Sequence, residues 1–174
     1  MDYSFLQNNL GIKRGTVVSE IDRLKSIVEK LRSEDGCEWD KAQTHVSLKP
    51  CCIEEAAEVI GGINTLEKTG DAGNLKEELG DLLLQIMFHA VMAEEEGLFT
   101  FDDVVKDISD KMIRRHPHVF GDMKFASEEE LHAAWAEIKR KEKEGKEWQA
   151  DYLPEAFSEA EDLIQRAKER KGFK

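Results

Sequence analysis

Residues 74–96 read NLKEELGDLLLQIMFHAVMAEEE, and this segment sets the fold class of the chain. From Leu82 to Ala93, apolar side chains occupy nearly all sides of a helix and not a single stripe. Such a helix is surrounded by other elements, so we predict a central helix, or one shared with another subunit. Asn74 with Glu77 resembles a capping box at its start, and Gly97 ends it.

Apolar residues at helical spacing predict further helices on both sides of this segment. The predicted helices run from about Val17 to Arg32, from Ser47 to about Leu66, from Thr100 to Arg115, from Ser127 to about Glu144 and from about Glu155 to Arg170. Ser47, and Ser127 with Glu130, are typical N-caps. No alternation typical of strands is present, so we predict an all-α helical bundle of about five or six helices.

One predicted helix contains Gly61 and Gly62, which cost roughly 1 kcal/mol each relative to alanine in a helix interior. The pair has two possible structural roles. Either it lets another helix approach closely, or it marks a local kink.

The charge balance argues against two classes of partner. Lys and Arg number 25 against 37 Asp and Glu, a net charge of −12 at pH 7. A chain this acidic is unsuited to nucleic acids or anionic membranes, so we expect neither as a partner. A small phosphate ligand stays compatible, because a metal ion can bridge carboxylates to phosphates.

The cysteines and the N-terminus indicate a cytoplasmic protein. Cys37, Cys51 and Cys52 form no CxxC pair, which argues against a disulfide framework and favours a reducing compartment. The first residues lack the basic and apolar regions of a signal peptide. The longest apolar-rich stretch, residues 82–93, is too short to span a bilayer.

Acidic residues recur three apart on two neighbouring predicted helices. Glu55 and Glu58 lie at one edge of the first helix, and Glu78 and Asp81 at one edge of the second. The short connection favours antiparallel packing, which makes the four carboxylates face one another. Clustered carboxylates repel unless they are protonated or neutralised by cations. Oxygen ligands favour a hard divalent ion, so we predict Mg²⁺, with Mn²⁺ as a possible substitute.

Two other interpretations of these acidic residues are a solvated helix face and a different metal centre. A single acidic pair on a helix usually lies on a solvated face, but two matched pairs on adjacent helices fit a solvated face less well. A carboxylate-bridged di-iron bundle needs two ExxH motifs, and the chain has one, from Glu129 to His132, away from both pairs. No P-loop, HExxH or GxGxxG motif is present.

Four blocks carry a family resemblance: GCEWDKAQTHVSLKPCC at 36–52, IEEAAE at 53–58, LKEELGDLL at 75–83 and RRHPHVFG at 114–121. Together they resemble the MazG family of nucleoside triphosphate pyrophosphohydrolases, over about residues 20 to 145. Glu38 stands where the family usually has proline.

The resemblance implies a reaction and a set of site residues. In that family, nucleoside triphosphate is cleaved between the α and β phosphates, giving nucleoside monophosphate and pyrophosphate. The resemblance also implies a MazG-like, all-α helical bundle that has a four-helix core and is usually dimeric. The implied metal ligands are Glu55, Glu58, Glu78 and Asp81. Glu54 would orient water beside them, and Glu54 or an adjacent ligand such as Glu55 would accept the proton of the attacking water.

Basic residues resemble the substrate-binding segments of the family. Lys111, Arg114 and Arg115 precede a helix end, where they would either interact with the helix dipole or form a phosphate clamp. The resemblance favours the clamp. It also implies nucleotide contacts by Trp135 and Lys139, with burial of Trp135 in the core as the alternative.

On this basis we expect an N-terminal arm at 1–15, a MazG-like catalytic domain at 16–145, and a linker with a C-terminal helix at 146–174. Broad use of ribo- and deoxyribonucleoside triphosphates, for house-cleaning or nucleotide-pool control, is expected from the HPHVFGD block. The alternatives are a non-catalytic regulatory domain, or a narrower dUTP, dCTP or phosphoribosyl-ATP pyrophosphohydrolase. A homodimer or a higher homo-oligomer is expected.

Overall fold

The computed structural model describes residues 19–173, so the predicted N-terminal arm at 1–15 lies outside the described residues. Between residues 19 and 173 the chain forms eight α-helices and no strand, which confirms the all-α prediction. Two of the eight are single-turn helices of four residues. The helices are α1 (Glu20–Arg32), α2 (Glu38–Lys41), α3 (Lys49–Thr69), α4 (Gly73–Glu95), α5 (Phe101–Arg115), α6 (Pro117–Phe120), α7 (Glu128–Lys143) and α8 (Leu153–Lys171), with a 3-10 helix (Glu147–Tyr152) before α8.

The N-caps of α3 and α7 test two sequence predictions. Leu48 is the N-cap of α3, so the predicted cap at Ser47 is wrong. The Ser47 hydroxyl instead accepts a hydrogen bond from the Thr44 backbone N–H, one turn before the helix. The cap of α7 is confirmed, because the Ser127 hydroxyl accepts from the Glu130 N–H.

The start of α4 also differs from the prediction. The helix begins at Gly73, whose N–H donates to Asp71 at 2.8 Å, so the predicted capping box of Asn74 and Glu77 is wrong. Asn74 lies inside the first turn, and its side-chain amide donates to Glu78 at 2.6 Å. A residue expected to cap the helix therefore holds a carboxylate in place.

The described residues divide into two compact units. The first contains residues 19–101 and 163–173, and thus α1 to α4 with the last part of α8. The second contains residues 102–162, and thus nearly all of α5, then α6, α7, the 3-10 helix and the start of α8. The domain limits at 16–145 and 146–174 stay a prediction.

The core of the first unit forms around the second half of α4. The α3 and α4 helices are antiparallel, since Gly62 lies close to Leu75 and Cys52 close to His89. The α4 helix also packs on α1. Most of the buried core side chains come from α4, which confirms its central place in the unit: Val28, Leu48, Met87, Phe88, Val91 and Met92.

An apolar face of α3 and α4 is not covered within the first unit. Ile60 and Ile63 of α3 are 60 % and 48 % exposed, and Leu79 and Ile86 of α4 are 50 % and 44 % exposed. Exposed apolar surface of this kind is typical of contact sites for other molecules. None of the helices described between residues 19 and 173 is long and apolar enough to cross a bilayer.

Candidate active site

Three carboxylates converge where α3 and α4 pack against each other. One carboxyl oxygen from each of Glu55, Glu58 and Glu78 lies within 4.8 Å of the others. The i,i+3 spacing places the first two on one edge of α3, and the antiparallel packing brings Glu78 of α4 opposite them. We call Glu55, Glu58 and Glu78 the acid group.

The close approach of the two helices depends on Gly62. A Cβ atom at this position would lie 2.7 Å from the Leu75 Cα, closer than real Cβ contacts allow. At Gly61 the added atom would meet nothing within 4 Å. Close helix packing is therefore the reason for Gly62, and the packing brings the acid group together.

The negative charges of the acid group favour a bound cation. Burial, followed by repulsion from Glu58 and Asp81, raises the pKa of Glu55 above its ordinary value. The side chain of Glu78 is buried, and it accepts a hydrogen bond from the Asn74 amide. Three partly buried carboxylates with hard oxygen atoms fit Mg²⁺ or Mn²⁺ well.

Asp81, the fourth predicted ligand, is not among the described residues that converge within 4.8 Å. It lies on α4, three residues after Glu78, and its charge is close enough to Glu55 to contribute to the raised pKa. The structure thus brings three of the four predicted ligands together and leaves Asp81 nearby.

Glu54, which the sequence suggests as an orienter of water, is bound by cations of α8. Lys171 Nζ lies 3.0 Å from Glu54 Oε1 and also donates to Glu58, while Arg170 donates to Glu54. The hydrogen bond from Arg170 is the main reason that the pKa of Glu54 lies below its ordinary value. Arg170 and Lys171 could not be singled out from the sequence, because a basic last turn is a common feature of amphipathic helices.

A cavity of about 410 Å³ adjoins the acid group within the first unit. Glu58 and Glu78 are among its lining residues, and its walls are mostly apolar. An apolar pocket with a few polar groups is the usual form of a small-molecule site. The main apolar residues of its walls are Ile53, Ala57, Ile164, Ala167 and Phe173.

The predicted phosphate-binding cations lie together in the second unit. Lys111, Arg114 and Arg115 line a cavity of about 610 Å³, and Lys143 and Lys146 line the same cavity. The last two were missed from the sequence. The only signal for Lys143 was its position four residues after Lys139, on the same face of α7.

Glu142 holds the two guanidinium groups of this cavity. Its carboxylate oxygens lie 2.9 Å from Arg114 Nη2 and 2.7 Å from Arg115 Nη2, and its side chain is 16 % exposed. The hydrogen bond from Arg115, reinforced by Arg114, lowers the pKa of Glu142 although burial opposes this change. The carboxylate therefore fixes the orientation of both arginines.

Trp135 and Lys139 are also in contact, as their i,i+4 spacing predicts. Lys139 Nζ lies 4.3 Å from the centroid of the Trp135 ring. The Trp135 indole N–H is buried and has no hydrogen-bond partner within the described part of the chain. A buried indole N–H normally has an acceptor, so this edge of the ring is suited to an added polar group.

Comparisons with known proteins agree with the family resemblance of the sequence. Residues 43–120 match the family model described as the MazG nucleotide pyrophosphohydrolase domain. A Thermotoga maritima protein named nucleoside triphosphate pyrophosphohydrolase/pyrophosphatase MazG is 53 % identical over 122 residues, which are 70 % of this chain and 45 % of that protein.

Two further relatives show similar identity. The nucleoside triphosphate pyrophosphohydrolase of Escherichia coli K12 is 46 % identical over 127 residues, 72 % of this chain and 47 % of that protein. The uncharacterized protein YabN of Bacillus subtilis is 49 % identical over 124 residues, 71 % of this chain and 24 % of that protein. The chain thus spans less than half the length of these relatives. Residues 43–120, which contain the acid group, thus form a domain of the MazG type within this chain.

Proposed function

We propose that this protein is a Mg²⁺-dependent nucleoside triphosphate pyrophosphohydrolase. The reaction would cleave the bond between the α and β phosphates and release nucleoside monophosphate and pyrophosphate. The observation that carries the proposal is the convergence of Glu55, Glu58 and Glu78. The names of the Thermotoga and Escherichia relatives give independent support.

The acid group would hold the metal ion, and Asp81 would complete the ligand set. A divalent ion bound there would polarise a phosphate oxygen and acidify a bound water. A carboxylate, either Glu54 or an adjacent ligand such as Glu55, would accept the proton of the water that attacks the α phosphorus.

The cations of the second unit would bind the phosphate chain. Lys111, Arg114 and Arg115 would neutralise charge on the departing pyrophosphate, with Glu142 keeping the guanidinium groups in place. The partly buried ring of Trp135, with Lys139 beside it, would contact the nucleoside. The buried indole N–H, which has no partner among residues 19–173, supports a ligand at this position.

The proposal extends to substrate range, assembly and location. We propose broad use of ribo- and deoxyribonucleoside triphosphates, in house-cleaning or nucleotide-pool control, in the cytoplasm. The uncovered apolar face with Ile60 and Ile63 supports a homodimer or a higher homo-oligomer.

A panel of nucleotides tests the proposed function. The full chain is incubated with each ribo- and deoxyribonucleoside triphosphate and Mg²⁺, and pyrophosphate and orthophosphate are assayed separately. We expect pyrophosphate from the native protein and its loss in Glu55→Ala and in Asp81→Ala. Orthophosphate without pyrophosphate would contradict the assigned bond, and no product from any nucleotide would favour a regulatory domain.

A further inference from the structure

The end of α8 brings two cations of the chain itself to the proposed metal site. Lys171 pairs with both Glu54 and Glu58, and Arg170 pairs with Glu54. The Lys171 and Glu58 side chains are 34 % and 33 % exposed, so their pair is partly shielded from water, whereas Arg170 is 63 % exposed. Shielding strengthens the attraction between opposite charges compared with an exposed pair.

Apolar side chains from both helices line a shared cavity beside the ion pairs. Ile164, Ala167 and Phe173 line the same cavity as Ile53 and Ala57 of α3. The last part of α8 thus belongs to the first compact unit, although residues 153–171 lie outside the matched family domain. We call residues 163–173 the C-terminal strap.

The strap and a metal ion compete for the same carboxylate. Glu58 is one of the proposed ligands, and Lys171 already donates to it. A divalent ion at the acid group would repel the neighbouring ammonium group and would need an oxygen of the carboxylate that Lys171 contacts. The two cations therefore oppose each other at Glu58.

We propose that the C-terminal strap is an autoinhibitory latch: Lys171 and Arg170 neutralise the acidic site, and Mg²⁺ binding displaces Lys171 and releases the strap. This inference rests on the metal site of the proposed function. Thermodynamic linkage makes the effect reciprocal, so any change that loosens the strap also tightens Mg²⁺ binding.

Two lysines of the same helix provide a matched test. Lys171→Met removes the competing charge, whereas Lys168→Met removes an equal charge from a lysine that lines the same cavity. Lys168 takes no part in the described ion pairs with Glu54 and Glu58, so it controls for the general loss of positive charge. The Mg²⁺ affinity of each full-length protein is measured by calorimetry, with the metal alone and no nucleotide.

We expect Lys171→Met to bind Mg²⁺ roughly two- to fivefold more tightly than Lys168→Met, the range that a partly exposed ion pair supports. Hydrogen exchange of the native protein gives a second readout. Added Mg²⁺ should accelerate exchange of the amides between residues 163 and 173.

The possible outcomes separate the latch from the metal site. Equal or weaker Mg²⁺ binding by Lys171→Met, or exchange in the strap that Mg²⁺ leaves unchanged or slows, would overturn the latch while the metal site stands. Failure of the native protein and both variants to bind Mg²⁺ would overturn the metal site, the proposed function and the latch together.

Discussion

Adjacent glycines in α3 have different surroundings, and this difference predicts opposite effects of the same substitution. At Gly62 an added Cβ would lie 2.7 Å from the Leu75 backbone, so Gly62→Ala should lower the free energy of unfolding by about 1–3 kcal/mol. At Gly61 nothing lies within 4 Å, so Gly61→Ala should raise it by about 0.5–1 kcal/mol. Urea unfolding of both variants measures the effects, and equal changes would contradict the proposed helix contact.

Glu142 makes a contribution to stability that depends on pH. Its pKa is lowered in the folded protein, chiefly by Arg115, so its ion pairs stabilise fully above the unfolded pKa of about 4.3. This stabilisation is lost as the pH falls through the lower pKa of the folded state. The melting temperature of the native protein should therefore exceed that of Glu142→Gln at pH 7, and the gap should shrink below about pH 4.3. A gap of full size at about pH 3 would argue against the two arginine contacts.

At the scale of elements, α7 and the segment after it add two lysines to the cavity of the second unit that Lys111, Arg114 and Arg115 line. Sequence motifs did not indicate these two lysines. Lys143 and Lys146 line the cavity together with Lys111. If the cavity binds the phosphate chain, Lys143→Ala/Lys146→Ala should weaken binding of inorganic pyrophosphate roughly three- to tenfold. Calorimetry in the presence of a chelator measures this binding without metal ions.

The matched control for this pair is Lys124→Ala/Lys141→Ala, which removes the same charge from lysines that do not line the cavity. We expect the control to bind pyrophosphate within about twofold of the native protein. Equal weakening in both double variants would show an effect of net charge and not of the cavity.

Helices were predictable from the sequence because apolar periodicity extends over many residues. The N-caps of α3 and α4 were not predictable from the sequence. The nearby side chains of Thr44 and Asp71 bind backbone N–H groups there and compete with the predicted caps. The acid pairs were predictable from the i,i+3 spacing, and the i,i+4 spacing brings Trp135 and Lys139 together. The strap was not predictable, since a helical pattern shows which face of α8 is apolar but not what its Arg170 and Lys171 contact.

At the scale of the whole molecule, an acidic chain has to bind an anionic phosphate substrate. Basic side chains and a bound metal ion would make this binding possible. The net charge of −12 repels a triphosphate, so binding depends on local positive charge. The division of the chain into two units could not be read from the sequence, because both units are helical and no Pro- or Gly-rich linker separates them at residue 101. The exposed face of α3 could not be predicted either, because its apolar stripe has the same pattern as a core stripe.

The central claim is that the acid group carries the metal-dependent reaction, and two neighbouring glutamates test it most directly. Glu78 belongs to the acid group, while Glu77 is exposed and lies outside it. Pyrophosphate release from nucleoside triphosphate with Mg²⁺ is measured for Glu78→Gln and Glu77→Gln. We predict a loss on the order of a hundredfold or more for Glu78→Gln, and a rate within about twofold of native for Glu77→Gln. Equal rates in the two variants, or a larger loss in Glu77→Gln, would contradict the claim.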